Sequence, residues 1–304
     1  MTDTALVGAL RDAGLQPRTD VPLATRTWWR VGGPADVSVD TGSLCALQAA
    51  VRVCHDHAAP VFVLGNASNL LISDHGIRGV VLRLVGELAA ASRDPDGTLR
   101  LGAGLKLVPF LRRSAREGFT GLEMLAGVPG TVGGAVVMNA GTALGEVSDA
   151  LIDATVVCAD GTAETLPAAA LQLAYRTSVL PPGAVVAACT FRPSGLTPEQ
   201  SARRIEEHLA YRARTQPVDV PTCGSTFRNP PGDHAGRLID ATGLKGATEG
   251  AAQVSTKHAN FIVNTGGATA TDIRRLIERV QAEVLAAHGV QLQREVHYAG
   301  DWPA

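Results

Sequence analysis

The sequence predicts an α+β fold with more than one domain, and three observations carry that reading. Strand and helix patterns mix irregularly along the 304 residues, without the steady alternation that builds a doubly wound parallel sheet. A glycine-rich and almost uncharged run occupies 121–141. A stretch with two prolines and a glycine, PSGLTPEQ at 193–200, reads as a boundary between domains. The length favours about two domains. Hydrophobic residues make up 45% of the chain, enough for a substantial core without disulfide or metal staples. Aromatic residues make up only 4%, so Leu, Val, Ile and Ala have to build that core.

The elements follow in order. A short helix is expected over about 3–14. Residues 36–40, within ADVSVD, form a strand; 43–57 repeat apolar side chains at helical spacing; 61–64 form a second strand. Together they make a compact βαβ unit. It runs into LGNASNLLISD at 64–74, a glycine and small polar residues ahead of another apolar strand. Strand patterns recur at 79–84 and 98–102, and a helix over 106–117 is closed by Gly118. Strands at 151–158 and 184–191 flank AYRTSVLPPG. A charged helix over 198–213 leads into TQPVDVPTCGSTFRNPPGD, four prolines around a small-residue loop. Helices near 235–242 and 269–288 and strands at 260–263 and 290–296 complete the chain, which has no internal repeat.

Several functions are disfavoured. A net charge of -2 gives no reason to expect nucleic acid, and the pairs Arg112/Arg113, Arg203/Arg204 and Arg274/Arg275 read as solvated helix faces. Cys45, Cys54, Cys158, Cys189 and Cys223 are odd in number and lack a CxxC pair, which argues for a reducing compartment and against a disulfide framework or zinc site. His55 and His57 end an amphipathic helix with no third ligand nearby, so no metal is expected. The N-terminus carries acids and no basic stretch ahead of its apolar residues, unlike a signal peptide. There is no run of roughly 18 apolar residues, so no membrane span is expected either. The expected location is cytoplasmic. Nothing in the sequence defines an oligomer, and a monomer is the expectation.

The run at 121–141 has too many glycines for a stable helix or strand interior and is too apolar for a flexible linker. The missing Cβ atoms at Gly127, Gly130, Gly133 and Gly134 leave two readings open. Backbone N–H groups could reach a bulky phosphorylated ligand; alternatively, one element packs closely on another. LRLGAGLKLVPFL at 99–111 mimics a strand, GxG, helix turn but lacks the third glycine and the later acidic residue, and no GK[ST] occurs anywhere. A Rossmann or P-loop reading therefore fails.

Further segments, in order, resemble the UDP-N-acetylenolpyruvoylglucosamine reductase family. They are TWWRVGGPAD (27–36), GNASNLLISD (65–74), LAGVPGTVGGAVVMNAG (125–141), AYRTSVL (174–180), CGSTFRNP (223–230), and LIDATGLKGATEGAAQVSTKHANFIVN (238–264) with QLQREV (291–296). The resemblance covers nearly the whole chain. It implies NADPH-dependent, FAD-mediated reduction of UDP-N-acetylglucosamine enolpyruvate to UDP-N-acetylmuramate, a step of peptidoglycan synthesis and so of cell-wall biogenesis, cell shape and cell division. It also implies a two-lobed FAD-binding region of the vanillyl-alcohol-oxidase type over 1–194, with lobes at about 1–85 and 86–194. A C-terminal α+β domain over 195–304 would bind the UDP-sugar. The short interval after Tyr175 places the chain in the branch without an extra substrate-capping loop.

The resemblance also assigns residues. Arg176, Ser225 and Glu295 match the family's catalytic positions: a cation for the developing enolate charge, a proton donor, and a carboxylate that helps polarise the intermediate. A serine hydroxyl is a weak acid, suited only to protonating a strongly basic carbon. Alternation sets Glu295 with Gln291 and Gln293 on the polar face, opposite Val290, Leu292 and Val296. A first FAD loop would comprise Gly65, Asn66, Ala67, Ser68 and Asn69. A second would comprise Gly127, Val128, Pro129, Gly130, Thr131, Gly133, Gly134, Asn139, Ala140 and Gly141. In it, 127–134 would face the pyrophosphate and 139–141 the flavin side. Tyr175, Arg214 and Asn229 match substrate contacts, while Lys257 and His258 suit a structural or flavin-side role.

The family's first loop carries glycines where Asn66 and Ala67 stand, so a different path is expected there. Arg228 stands where lysine is common, and Cys223 takes a small-residue position, with packing favoured over redox chemistry. Flavin oxidases of the same fold often hold FAD through a histidine in the N-terminal lobe; RVGGPAD and GNASN have none, so non-covalent FAD is expected. The alternatives are such an alcohol or lactone oxidase, or a UDP-sugar-binding protein that has lost catalysis.

Overall fold

A computed structural model describes residues 3–302. The chain divides into two compact units. One comprises 1–20, 36–66 and 79–210, and the other 21–35, 67–78 and 211–304, each as far as it is described. The sequence reading placed a continuous division at 194/195; here two short upstream segments join the C-terminal part. Their partners explain it. Leu70–Ile72 pairs in parallel with His297–Ala299, and the Trp29 indole N–H donates to the Ile262 carbonyl at 2.8 Å. Pairing across more than 200 residues leaves no periodic mark in the sequence.

Two sheets lie mainly in the first unit. One runs in the order Arg18–Pro22, Pro34–Thr41, Ile77–Leu84, Val61–Val63. The helix Leu44–Asp56 starts where Ser43 accepts the Ala46 N–H at 3.2 Å and buries Leu47, Ala50, Val51 and Cys54. Those side chains join Val37, Val39, Val80 and Leu82 in one core. The βαβ expectation needs a correction. Val61–Val63 pairs in parallel with Ile77–Leu84, which lies between it and Pro34–Thr41.

The second sheet is antiparallel, ordered Ala163–Pro167, Leu151–Val157, Val185–Phe191, Leu99–Gly102, Ala91–Arg93. The helix Leu107–Ser114 contributes Phe110 and Leu111 to the core that holds Leu99, Leu101 and Phe191. It stops before the expected 117. The Phe119 N–H turns back to the Ser114 carbonyl at 2.8 Å, with Gly118 at φ +80°.

In the second unit an antiparallel sheet runs Thr222–Ser225, Phe261–Asn264, Ala252–Val254, Thr248–Glu249. The helix Ala270–His288 buries Ile273, Leu276, Ile277, Val280 and Val284 in a core with Trp29, Phe227 and Ile262. The strand expected at 290–296 forms no ladder and meets a partner only at the Arg294–Phe227 bridge. Its alternation survives in burial: Leu292 and Val296 are buried while Gln291 and Gln293 are exposed.

Asp74 ties the loop ahead of this unit's core to the long helix. Its carboxylate accepts the Ala270 and Thr271 N–H groups, each at 2.9 Å, and the Thr271 hydroxyl at 2.8 Å. Asp74→Ala leaves those donors of the first turn without this acceptor. The expected result is a loss of about 1–2 kcal/mol, read as a lower urea midpoint with an unchanged slope.

Candidate active site

In the first unit the start of the first glycine loop, Gly65 and Asn66, is held against the second loop. The Asn66 side-chain amide donates to the Pro129 carbonyl. A Cβ on Gly65 would sit 2.7 Å from Thr131 Oγ1. The second loop is itself anchored. The Val132 N–H donates to the Leu105 carbonyl at 3.0 Å and the Gly133 N–H to the Ala103 carbonyl at 2.8 Å. A Cβ on Gly133 would meet Ala103 Cβ at 2.9 Å. Close packing is therefore the reason for glycine at 133, and its N–H is not free to bind phosphate. The run also contains a helix its composition argued against, Val132–Val137, whose first turn Thr131 caps through the Gly134 N–H at 3.4 Å.

The donors left in this turn are the N–H groups of Gly130 and Thr131, for which no acceptor is seen among the described residues. Two loops clasped together, bare of side chain at Gly65 and uncharged between 127 and 134, fit the pyrophosphate of a dinucleotide. The departure in the first loop resolves into two roles. Asn66 provides the link to Pro129, and Ala67 takes the left-handed φ of +47°. Asn66 itself is not among the left-handed residues.

Arg176 also sits in the left-handed region, at φ +57°. It is the third residue of a tight turn closed by reciprocal bonds between Ala174 and Thr177, at 3.1 and 3.0 Å. That position usually favours glycine. The guanidinium lies over the Tyr175 ring at 5.1 Å and donates to the Gly141 carbonyl at 3.3 Å. Asn139, expected to face the flavin, is buried and its side chain is taken up by the protein. Its amide donates to Glu146 at 2.7 Å and to the Ala174 carbonyl at 3.1 Å, while its oxygen accepts the Ser148 N–H at 3.0 Å. This network, which joins a loop residue to a carbonyl 35 positions on, leaves no mark in the sequence.

In the second unit, Ser225 ends the strand Thr222–Ser225, whose pairing with Phe261–Asn264 is irregular between Thr222 and Ser225. Gly224, at φ +79°, makes that irregularity possible. Thr226 beside it accepts the Glu295 N–H at 2.8 Å, so Ser225 and Glu295 lie on neighbouring segments. The Asn69 amide fixes the same place by donating to the Glu295 carbonyl at 3.1 Å. Burial, with Arg228 and then Arg294, holds the nearby His297 imidazole below its ordinary range and so favours its neutral form.

The remaining assigned residues separate by environment. Tyr175 and Arg214 are exposed, as substrate contacts would be. Asn229 accepts the Ala235 N–H at 3.1 Å, capping the helix Ala235–Ala241 with its amide oxygen. Lys257 donates to the Ala213 carbonyl at 2.7 Å, and Asn260 N–H donates to His258 Nδ1 at 3.3 Å; both contacts are structural. Cys223 is buried with its thiol pushed up to about 12 by burial, which suits packing and not redox chemistry. Among the described residues no group of three or more His, Cys, Asp or Glu could hold a metal ion, and no helix is long and apolar enough to cross a membrane.

Residues 35–167 match the FAD binding domain family, and with the paired glycine loops they define an FAD-dependent oxidoreductase. Residues 216–299 match the UDP-N-acetylenolpyruvoylglucosamine reductase C-terminal domain. The chain is 48% identical over 289 residues to the UDP-N-acetylenolpyruvoylglucosamine reductase of Anaeromyxobacter dehalogenans strain 2CP-C, covering 93% of this chain and 86% of that one. It is 43% identical to UDP-N-acetylenolpyruvoylglucosamine reductase 2 of Symbiobacterium thermophilum, over 97% and 95% of the two chains. The crystal structure of the reductase from Thermus caldophilus superposes with a TM-score of 0.80 at 38% identity, covering 94% of this chain and 98% of that chain. The chain belongs to the UDP-N-acetylenolpyruvoylglucosamine reductase family.

Ala67→Gly removes a left-handed Cβ and should raise the denaturation midpoint of the FAD-free protein by an amount worth roughly 0.5–1 kcal/mol, after glycine's own entropy cost. A lower midpoint would show that Ala67 is not strained. In native protein at pH 8, iodoacetamide should label the exposed Cys45 and leave Cys223 intact until the protein is unfolded, as mass spectrometry of the peptides will show.

Proposed function

We propose that this chain reduces UDP-N-acetylglucosamine enolpyruvate to UDP-N-acetylmuramate in the cytoplasm, with NADPH as electron donor and FAD held non-covalently. The unit of 1–20, 36–66 and 79–210 carries most of the FAD-binding region expected over 1–194, and the other unit most of the UDP-sugar domain expected over 195–304. The observation that carries the reading is the backbone bond between Glu295 and Thr226, which keeps Ser225 and Glu295 on neighbouring segments of the domain matched to this family.

FAD, when bound, would supply the hydride, derived from NADPH, that reduces the enolpyruvyl carbon remote from the ether oxygen. Gly65, Asn66, Ala67, Ser68 and Asn69, with 127–134 (apart from the packing position Gly133) and the backbone of 139–141, would hold the cofactor. The chain's own residues then manage charge and protons. As the alkene's π pair moves onto the other carbon, negative charge spreads into the substrate carboxylate. Arg176, always cationic and with a forked donor set, stabilises that dianion. Glu295 helps polarise the intermediate. Ser225 donates its hydroxyl proton to the basic carbon and recovers one from solvent. Tyr175, Arg214 and Asn229 bind the sugar nucleotide. The lack of a histidine in RVGGPAD and GNASN agrees with FAD that acid precipitation releases, whereas an oxidase with tethered flavin would keep it.

Ser225→Ala separates the half-reactions. Flavin reduction by NADPH should proceed, while reoxidation by the enolpyruvyl sugar nucleotide slows by about 10²- to 10⁴-fold, the usual contribution of a positioned acid. Stopped-flow absorbance under nitrogen reads both steps. Equal loss of the two would remove Ser225 from the role of proton donor.

A further inference from the structure

Arg176 is held from one side by the end of the second glycine loop. Three bonds make the clamp: Asn139 Nδ2 to the Ala174 carbonyl at 3.1 Å, Ser178 Oγ to the Val137 carbonyl at 2.8 Å, and Arg176 Nη2 to the Gly141 carbonyl at 3.3 Å. Asn139 is the hub. Its relative exposure is 1%, and its amide orientation is set by its partners: the atom accepting from the Ser148 N–H has to be oxygen, and the atom facing the Glu146 carboxylate has to be nitrogen. Its φ of +38° favours Asn or Gly among common residues. The Ala174 carbonyl that it grips also closes the turn by accepting the Thr177 N–H, and that turn forces Arg176 to φ +57°. A strained turn keeps its shape only when its surroundings over-determine it.

We propose that Asn139 is a positioning residue for Arg176. It acts through the Ala174 carbonyl to keep the arginine's turn in its left-handed form, and so couples the flavin loop to the residue that receives the substrate carboxylate. The inference rests on the proposed role of Arg176.

The test uses flavin-loaded protein and two variants that tolerate the backbone, Asn139→Gly and Ser178→Ala, each alone and combined with Arg176→Ala. In Asn139→Gly, hydrogen exchange at the Ala174 and Thr177 amides should accelerate. Reoxidation by the enolpyruvyl sugar nucleotide should fall by about 10²-fold, as for a misplacement near 1 Å, and well beyond any change in flavin reduction by NADPH. In the Arg176→Ala background the same change should add nothing further. A multiplicative loss in the double variant, or unchanged exchange at the turn, would overturn the role of Asn139. If Arg176→Ala alone reoxidises at the unaltered rate, the role of Arg176 itself fails. Should Asn139→Gly retain no flavin and show no cooperative melt, Ser178→Ala reads the same clamp. Faster exchange with non-additive loss would support the proposal, and no change in either would overturn it.

Discussion

Two hydrogen bonds carry the cofactor side of this protein: Val132 N–H to the Leu105 carbonyl and Gly133 N–H to the Ala103 carbonyl. They press the second glycine loop onto a strand end at a distance that a side chain on Gly133 would not allow. Everything after them in that loop depends on this anchor. The short helix Val132–Val137 starts from it, and its end delivers Asn139 to the turn of Arg176. The first loop depends on it as well, since Asn66 and Gly65 meet Pro129 and Thr131 just ahead of the anchored pair. Close packing and a phosphate cradle were alternative explanations of one run of glycines. In the structure Gly133 serves close packing, while the N–H groups of Gly130 and Thr131 meet no acceptor among the described residues.

Three of the residues assigned to cofactor or substrate carry a side chain on left-handed backbone. Ala67, Asn139 and Arg176 all have φ between +38° and +57°. Such residues cost of order 1–3 kcal/mol each and persist where the surroundings hold them. Here the surroundings are specific. Asn139 is taken up by three hydrogen bonds, and Arg176 sits in a reciprocally closed turn. Such held strain is what the proposed site, with its cation and cofactor loop fixed in one geometry, would require.

Much of the regular structure was legible in the sequence. The helix Leu44–Asp56 matches the apolar spacing read over 43–57, and Ala270–His288 matches the helix expected near 269–288. The segment 290–296 shows the limit. Its alternation predicted which side chains are buried, but a strand also needs a continuous ladder, and here the pairing is limited to one bridge at Arg294 and its flanking bonds. The proposed roles of Arg176, Ser225 and Glu295 rest on motif resemblance, because an arginine, a serine or a glutamate in isolation is more often a surface or turn residue. The work of Asn139 was not legible at all, since it lies in bonds to carbonyls and carboxylates that only the fold brings near.

The central claim is that reducing equivalents pass from NADPH to the enolpyruvyl group of a UDP-sugar. Under anaerobic conditions, the flavin-loaded protein is reduced with one equivalent of NADPH and then given one equivalent of UDP-N-acetylglucosamine enolpyruvate. The account predicts that the oxidised flavin spectrum returns in full and that UDP-N-acetylmuramate accumulates in equal amount. A flavin that stays reduced until oxygen is admitted would contradict it.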